Sequence, residues 1–355
     1  MALAQLLSDE YVVSWHRFRG GRECVNSGAP NDLTVWWADG AGVGRAERAS
    51  MDDPPVLYKY LGFEGAVASI GSMTLRWSSV LGFNDPFEES LSASDFGERI
   101  APAVHDEFVR AVRAEVPMLV VRRSATAPDR IEAWRARWRQ DAGSWDSIET
   151  EITEAVGRLI AGHPPNQREF ERKRLEIRRM GRVLCLSEER ENLLMWAHYA
   201  DAHRGAVIEL NVAQHPEYFD GLGKVEYSEE MAPMWDETVV SNHLLGRLSN
   251  EEWERHVRDI ERRSALTKSL EWEYEQEWRC FSAESPDDPR LRTDIPLNRN
   301  AISAVYLGCR VPADDQRRFA AWVRELLPHA RICQMSMVPG RFTLTFDEIT
   351  GAVAE

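Results

Sequence analysis

Val183-Leu184-Cys185-Leu186-Ser187, at residues 183–187, is a short apolar run that reads as a buried strand, and it decides the fold class because a long helical stretch stands directly before it. From about Ile100 to Met180 the pattern is helical, with breaks at Pro117, at Ala127-Pro128 and at His163-Pro164-Pro165. Within it Ile148, Ile152, Val156, Leu159 and Ile160 recur at helical spacing and give one helix an apolar face for docking. Strands lie on both sides of this block. Val56 to Tyr60 and Leu75 to Ser78 precede it; Ala206 to Asn211, Lys224 to Ser228, Tyr274 to Ser282, Ile302 to Leu307, Ile332 to Met337 and Phe342 to Phe346 follow it. A short helix or turn is expected over Gly65 to Gly71, and helices over Glu191 to Ala202 with Gly205 as its cap, twice between Met234 and Lys268, and over Asp314 to Leu327. The sum is an α+β fold: a mixed, largely antiparallel sheet core with a long central helical insertion at about residues 100–180, and no regular βαβ winding.

Upstream, residues 1–52 read as an N-terminal appendage to a main domain over 53–355. Tyr11-Val12-Val13-Ser14-Trp15 and Leu33-Thr34-Val35-Trp36-Trp37 suit a β-hairpin, and Asp52-Asp53-Pro54-Pro55 breaks the chain before the main domain. Gly40-Ala41-Gly42-Val43-Gly44 lacks the spacing of a phosphate-cradling loop and reads as a linker.

A hydrophobic content of 43% with 28% charged residues belongs to a folded chain. The net charge of -15 argues against coating duplex nucleic acid through the overall field. A local basic stretch is the exception: Arg168, Arg172, Lys173, Arg174, Arg178, Arg179 and Arg182 crowd one helix, interleaved with Glu169, Glu171 and Glu176, which suits a solvated face or, less often, a place for a macromolecular acceptor, protein or nucleic acid. The five cysteines are dispersed and never form a C-x-x-C pair, which suits reduced, buried thiols. No apolar stretch is long enough to span a bilayer and no leader pattern opens the chain, so a cytoplasmic protein without membrane partners is expected.

Three separated motifs carry the polar chemistry. Trp272-Glu273-Tyr274-Glu275-Gln276-Glu277-Trp278-Arg279, if extended, lines Glu273, Glu275 and Glu277 along one face, where like charges raise one another's pKa unless Arg279 or Lys268 compensates. Carboxylates so placed suit acid, base or cation-stabilising work, and equally an acidic solvent-facing strand. Met195-Trp196-Ala197-His198-Tyr199 presents Met195 and Tyr199 as a core stripe, while His198 and His203 are too far out of phase to form a zinc pair. A packed, hydrogen-bonded His198 competes there with a functional one. Arg204, beside Gly205 at a helix end, is placed to bind an anion. The patterns of Walker A loops, Rossmann turns, zinc hydrolases and nucleophile elbows are absent.

Taken in order, Leu57-Tyr58-Lys59-Tyr60, Leu75-Arg76-Trp77-Ser78 with Phe83-Asn84-Asp85-Pro86-Phe87-Glu88, Leu184-Cys185-Leu186-Ser187-Glu188, Met195 to Gly205, Trp272 to Arg279 and Ala304-Val305-Tyr306-Leu307-Gly308 resemble a bacterial family catalogued as a domain of unknown function, number 2971. The resemblance runs from about Val56 to Phe346 and brings no reaction with it. A second resemblance, in motif order alone, is to ADP-ribosyltransferase folds: an early strand with His or Arg, a second with Ser or Tyr, and a late strand with the catalytic Glu. Tyr58-Lys59-Tyr60, Cys185-Leu186-Ser187 and Glu275-Gln276-Glu277 stand in that order, with Lys59 as the departure.

That second resemblance implies an NAD-using transferase or NAD glycohydrolase, conceivable as a bacterial stress or phage-defence effector. Glu277 or Glu275 would be the catalytic carboxylate, and Tyr58, Lys59, Tyr60, Ser187, Trp196, His198, Arg204 and Arg279 would contact NAD. Two readings compete with it. One is a metal-dependent nuclease or phosphodiesterase using Asp85, Glu88, Glu275 and Glu277; the other is a sensor or protein-interaction module without catalysis.

Overall fold

The computed structural model describes residues 55–88, 91–92, 100–114, 127–161, 175, 178–219, 221–233, 236–283 and 290–349. The appendage and its hairpin, Gly40 to Gly44, the basic residues from Arg168 to Arg174 and the fifth thiol, Cys24, lie outside the described residues. Along the chain run β1 (Leu57–Leu61), α1 (Phe63–Ser72), β2 (Thr74–Ser78), α2 (Ala101–Arg113), α3 (Ala127–Gln140), α4 (Trp145–Ala161), β3 (Gly181–Ser187) and α5 (Leu193–Tyr199). They are followed by β4 (Ala206–Leu210), β5 (Gly223–Lys224), α6 (Glu237–Leu244), α7 (Asn250–Leu266), β6 (Glu277–Ala283), β7 (Arg292–Pro296), β8 (Ile302–Leu307), α8 (Ala313–Leu326), β9 (Arg331–Met337) and β10 (Leu344–Glu348). The chain divides into two compact units, one containing Ser90–Ile177 and Met231–Ala265, the other Asn31–Glu89, Arg178–Glu230 and Leu266–Glu355.

The first unit is helical. Ile148, Ile152 and Val156 of α4 are buried with Val104, Phe108 and Val112 of α2, and Val240 and Leu244 of α6 join the same cluster. The period-3.6 stripe is therefore a packing face. Asp236 caps α6 by accepting from the Val239 amide at 2.9 Å.

The second unit is the sheet. Its order is β7-β2-β3-β1-β4-β8-β9-β10, with β6 paired to β3 and to β5. Every pair is antiparallel except β8 with β9, whose crossover is α8. The sheet is thus mixed and largely antiparallel, and the fold is α+β. Alternation assigns the two faces. Leu57, Leu184, Leu186, Ile208, Leu210, Trp278, Cys280 and Val305 form one core with Ala66 and Ile70 of α1 and Phe319 and Val323 of α8. The opposite face carries Tyr60, Val207, Ala304, Tyr306 and Met335, packed on Met195 and Trp196 of α5.

Several local readings change. α5 ends at Tyr199, three residues before the expected end, and Asp201, Ala202 and His203 follow with φ of 47°, 50° and 67°. Gly205 is needed for close approach, not as a left-handed cap: a Cβ there would sit 2.1 Å from the Leu61 carbonyl oxygen and 2.9 Å from that of Ala200. Gly205→Ala is accordingly expected to cost about 3 kcal/mol or more, read as a lowered urea midpoint; a change below about 1 kcal/mol would contradict this account of the turn. Arg182, expected on a basic surface, is 1% exposed, its guanidinium donating to the carbonyls of Arg179, Met180, Gly181 and Arg290. It staples strand entry and offers nothing to an acceptor. The four described cysteines form no disulfide; Cys280 and Cys333 are buried, whereas Cys185 and Cys309 are partly exposed.

Candidate active site

Register brings the separated motifs together. Tyr58 of β1 stands opposite Ser187 of β3, and Ser187 stands opposite Glu277 of β6. Residues directly opposed across a ladder project from the same face, so the early, middle and late motifs share one row. A pocket of about 190 Å³ lies over that row. Tyr58, Lys59, Tyr60, Cys185, Leu186 and Ser187 line it from the sheet, Phe83, Asn84 and Glu88 from the loop after β2, Met195 and Tyr199 from α5, and Lys268, Glu275 and Glu277 from the late motif and its approach.

The segment before β6 is not extended. Leu270–Glu275 is a 3₁₀ turn, Gln276 is left-handed at φ 44°, and the strand begins at Glu277. Glu273 is therefore exposed and separate, contrary to a three-carboxylate edge. Glu275 and Glu277 still converge, because the turn swings Glu275 inward. Two contacts hold it there. The Gln276 side chain donates to the Glu273 carbonyl at 2.8 Å, and Asn192, while capping α5 by accepting from Leu194 and Met195 amides, donates to the Tyr274 carbonyl at 2.8 Å.

Below the pocket is a buried ionic network. Lys268 Nζ reaches Glu275 at 2.7 Å, Glu277 at 3.2 Å and Glu88 at 3.4 Å. Arg279 grips two carboxylates with paired contacts: Nε and Nη2 on Glu277 at 3.1 and 2.9 Å, Nη1 and Nη2 on Glu88 at 2.9 and 3.0 Å. All five side chains are buried, Arg279 at 0% exposure. Tyr199 donates to Glu275 at 2.6 Å, Ser187 Oγ donates to the Glu275 carbonyl at 2.6 Å, and the Tyr227 hydroxyl accepts the Glu277 amide at 2.8 Å.

Three carboxylates face two cations, so the fully ionised network holds one negative charge too many. That excess falls on Glu275. Burial pushes its pKa up, against the pull of Lys268 and with the repulsion of Glu277. Glu277 goes the other way: burial works against its charge, but Arg279 and Lys268 hold it down to about 2. Burial opposes the charge of Lys268 too, yet the three glutamates raise its pKa, keeping it ammonium. Burial, then Glu275, raises the pKa of Tyr199, so its phenol remains a donor.

These opposite shifts give opposite pH signatures. Glu277, depressed below its ordinary 4.5, contributes stability that is present above 4.5 and lost as pH falls toward about 2. Glu275, raised, contributes stability in its protonated state that is lost as pH rises through its elevated pKa. Unfolding free energy should rise as pH is lowered through the raised Glu275 pKa toward 4.5 and then fall. In Glu275→Gln the rise should be absent; a rise identical to wild type would show that another group titrates.

The remaining residues named from sequence divide. Trp196 is 0% exposed, edge-on to Tyr60 with centroids 5.6 Å apart, and donates to the Arg190 carbonyl; it packs and does not line the pocket. His198 is exposed, not packed as a core histidine, and lies outside the lining. Arg204 is also exposed, paired with Asp201 at 3.6 Å. Arg279 is committed to two glutamates and serves as a buried counter-ion. Lys59 Nζ donates to the Cys185 carbonyl at 2.9 Å, and among the described residues two of its three donor positions are left for a ligand. Tyr199 was legible only as half of an apolar stripe with Met195, and Tyr227 carried no signal. Lys268 was foreseen as a compensating charge and Glu88 as part of an acidic set.

Among the described residues no group of three or more His, Cys, Asp and Glu side chains is arranged to hold a metal ion, and no helix is long and apolar enough to cross a membrane. No curated protein and no solved structure matches the chain. Residues 195–280 match the sequence profile of a family described as a protein of unknown function (DUF2971). The chain is therefore similar to that family over the segment that supplies Tyr199 and, apart from Glu88, the whole buried ionic network.

Proposed function

We propose that the pocket is the active site of an enzyme that cleaves the N-glycosidic bond of NAD, as a glycohydrolase or an ADP-ribosyltransferase. The observation that carries this reading is the row Tyr58, Ser187, Glu277, which sets the three motifs side by side under one pocket. The electrostatics agree with the chemistry. A pyridinium ribose is cationic and its cleavage passes through an oxocarbenium-like sugar, so a buried network that carries one surplus negative charge when Glu275 is ionised favours both bound state and transition state.

Roles follow from the opposite pKa shifts. Glu277, permanently ionised, stabilises positive charge at the ribose. The C1′–N bond breaks, its electron pair passing to the nicotinamide nitrogen, which leaves neutral. Water or an acceptor hydroxyl forms the new C1′–O bond, and its proton goes to Glu275, whose raised pKa makes it the better base of the two. Tyr199, hydrogen-bonded to Glu275, orients it. Tyr58, Tyr60 and Phe83 offer ring faces, and Lys59 a cation for phosphate.

The metal-dependent alternative is less favoured, because Lys268 and Arg279 already occupy the oxygens that would take Mg²⁺. Chromatography of NAD incubated with the protein tests the proposal. Nicotinamide should appear in step with ADP-ribose or an ADP-ribosylated acceptor; no release, together with cation-dependent cleavage of RNA or DNA, would transfer the pocket to the other reading.

A further inference from the structure

The pocket is smaller than the roughly 300–1,000 Å³ of sites that enclose whole drug-sized ligands. At about 190 Å³ it takes a single ring-bearing portion, so most of a dinucleotide must lie outside it. Beside it the chain sets a ladder of rings, of which Tyr274 also packs against the core and Trp272 also meets the Lys268 ammonium. The centroids of His198 and Tyr274 are 6.4 Å apart at 38°, and those of Tyr274 and Trp272 are 6.1 Å apart at 40°. His198 is exposed and the other two are half-buried.

The ladder meets the pocket's lining at two rungs, the first being His198, whose ring centroid is 6.3 Å from that of Tyr199. His198 precedes Tyr199 and Tyr274 precedes Glu275, both of which line the pocket. The third rung, Trp272, lies over the Lys268 ammonium, with its centroid 4.9 Å from Nζ. Leu194 at 48% exposure and Leu270 at 40% are exposed apolar side chains that precede His198 and Trp272 by four and two residues. The Asn192 hydrogen bond to the Tyr274 carbonyl holds α5 and the 3₁₀ turn together, so the ladder is prearranged.

We infer that His198, Tyr274 and Trp272 form a base-stacking subsite, which receives the purine of a nucleotide whose other end occupies the pocket. The inference rests on the N-glycosidic reading for what sits in the pocket, and on the ring geometry for the base. A planar heterocycle is the ligand that such faces recognise, since every base presents a π-face and stacking needs no hydrogen-bond code. Tilted neighbouring rings with aliphatic flanks suit one base lying across them.

Two measurements separate this proposal from the reading beneath it. Equilibrium titration with etheno-AMP, a fluorescent adenine nucleotide lacking nicotinamide, should show quenching on binding. Tyr274→Ala and His198→Ala should each weaken binding, Tyr274→Ala by about ten-fold or more, while Tyr274→Phe, which keeps the ring, should restore it. The preference for NAD over nicotinamide mononucleotide in kcat/KM should fall with Tyr274→Ala. Equal etheno-AMP affinity in wild type and both alanine variants would overturn the subsite, as would equal turnover of the two substrates by wild type. Etheno-AMP binding that depends on Tyr274, in a protein that releases no nicotinamide, would refute the N-glycosidic reading and leave the subsite standing.

Discussion

Arg279→Met is expected to lower the unfolding free energy by about 3–5 kcal/mol, the cost of leaving buried charges without their partner. The size follows from the number of contacts removed at once. Arg279 makes paired contacts with both Glu277 and Glu88, and its guanidinium has no solvent to fall back on at 0% exposure. Met fills the stem volume but leaves two carboxylates facing each other, with Lys268 as the only remaining cation of the network. The depressed pKa of Glu277 must then rise, and the mutant should recover part of its loss in mild acid, where Glu277 can protonate. Urea unfolding at neutral pH and near 4.5 reads both effects. A loss below about 1 kcal/mol would mean that water reaches the network.

Glu275→Gln should do the reverse: fold at least as well as wild type near neutrality and lose turnover by about a hundred-fold or more, the contribution of a positioned base. Glutamine resembles the protonated acid, the form toward which burial and the repulsion of Glu277 push Glu275, since ionising it adds the unbalanced charge. The amide still accepts from Tyr199 and leaves Lys268 paired with Glu277 and Glu88. Stability gained where activity is lost is the expected mark of a charge kept for chemistry. In wild type the acid limb of kcat should track the raised Glu275 pKa, with activity falling as pH drops through it; in the variant that limb should disappear. A variant that is both destabilised and active would assign Glu275 to structure.

The fold was legible where periodicity was strong. Ile148, Ile152 and Val156 showed their packing face because core contacts repeat every helical turn, and the strand at Ile302–Leu307 emerged with its bounds intact. The late motif was read with the wrong backbone only before Glu277, where the strand begins. Nothing in Trp-Glu-Tyr-Glu-Gln-Glu-Trp contains the Gly or Pro that announces a turn, and the left-handed Gln276 is held by its own side chain and a cap from α5. A tertiary contact overrode a local preference. Convergence of Glu275 and Glu277 survived this error, since a tight turn and a strand can both bring alternate residues together. Tyr199 was hidden for another reason: an i, i+4 stripe shows which face is buried, not what a phenol at its edge will meet. Trp196 lies in the same motif as Tyr199 yet packs against Tyr60, so adjacency in a motif does not make adjacency in a site.

The chemistry is tested most directly by nicotinamide release from NAD in wild type and Glu277→Gln, compared in single turnover at equal folded fraction. Removing the Glu277 carboxylate, which Arg279 and Lys268 hold ionised, should slow release by about a hundred- to a thousand-fold, with ADP-ribose formation falling in step. Release at the wild-type rate from Glu277→Gln would contradict the account.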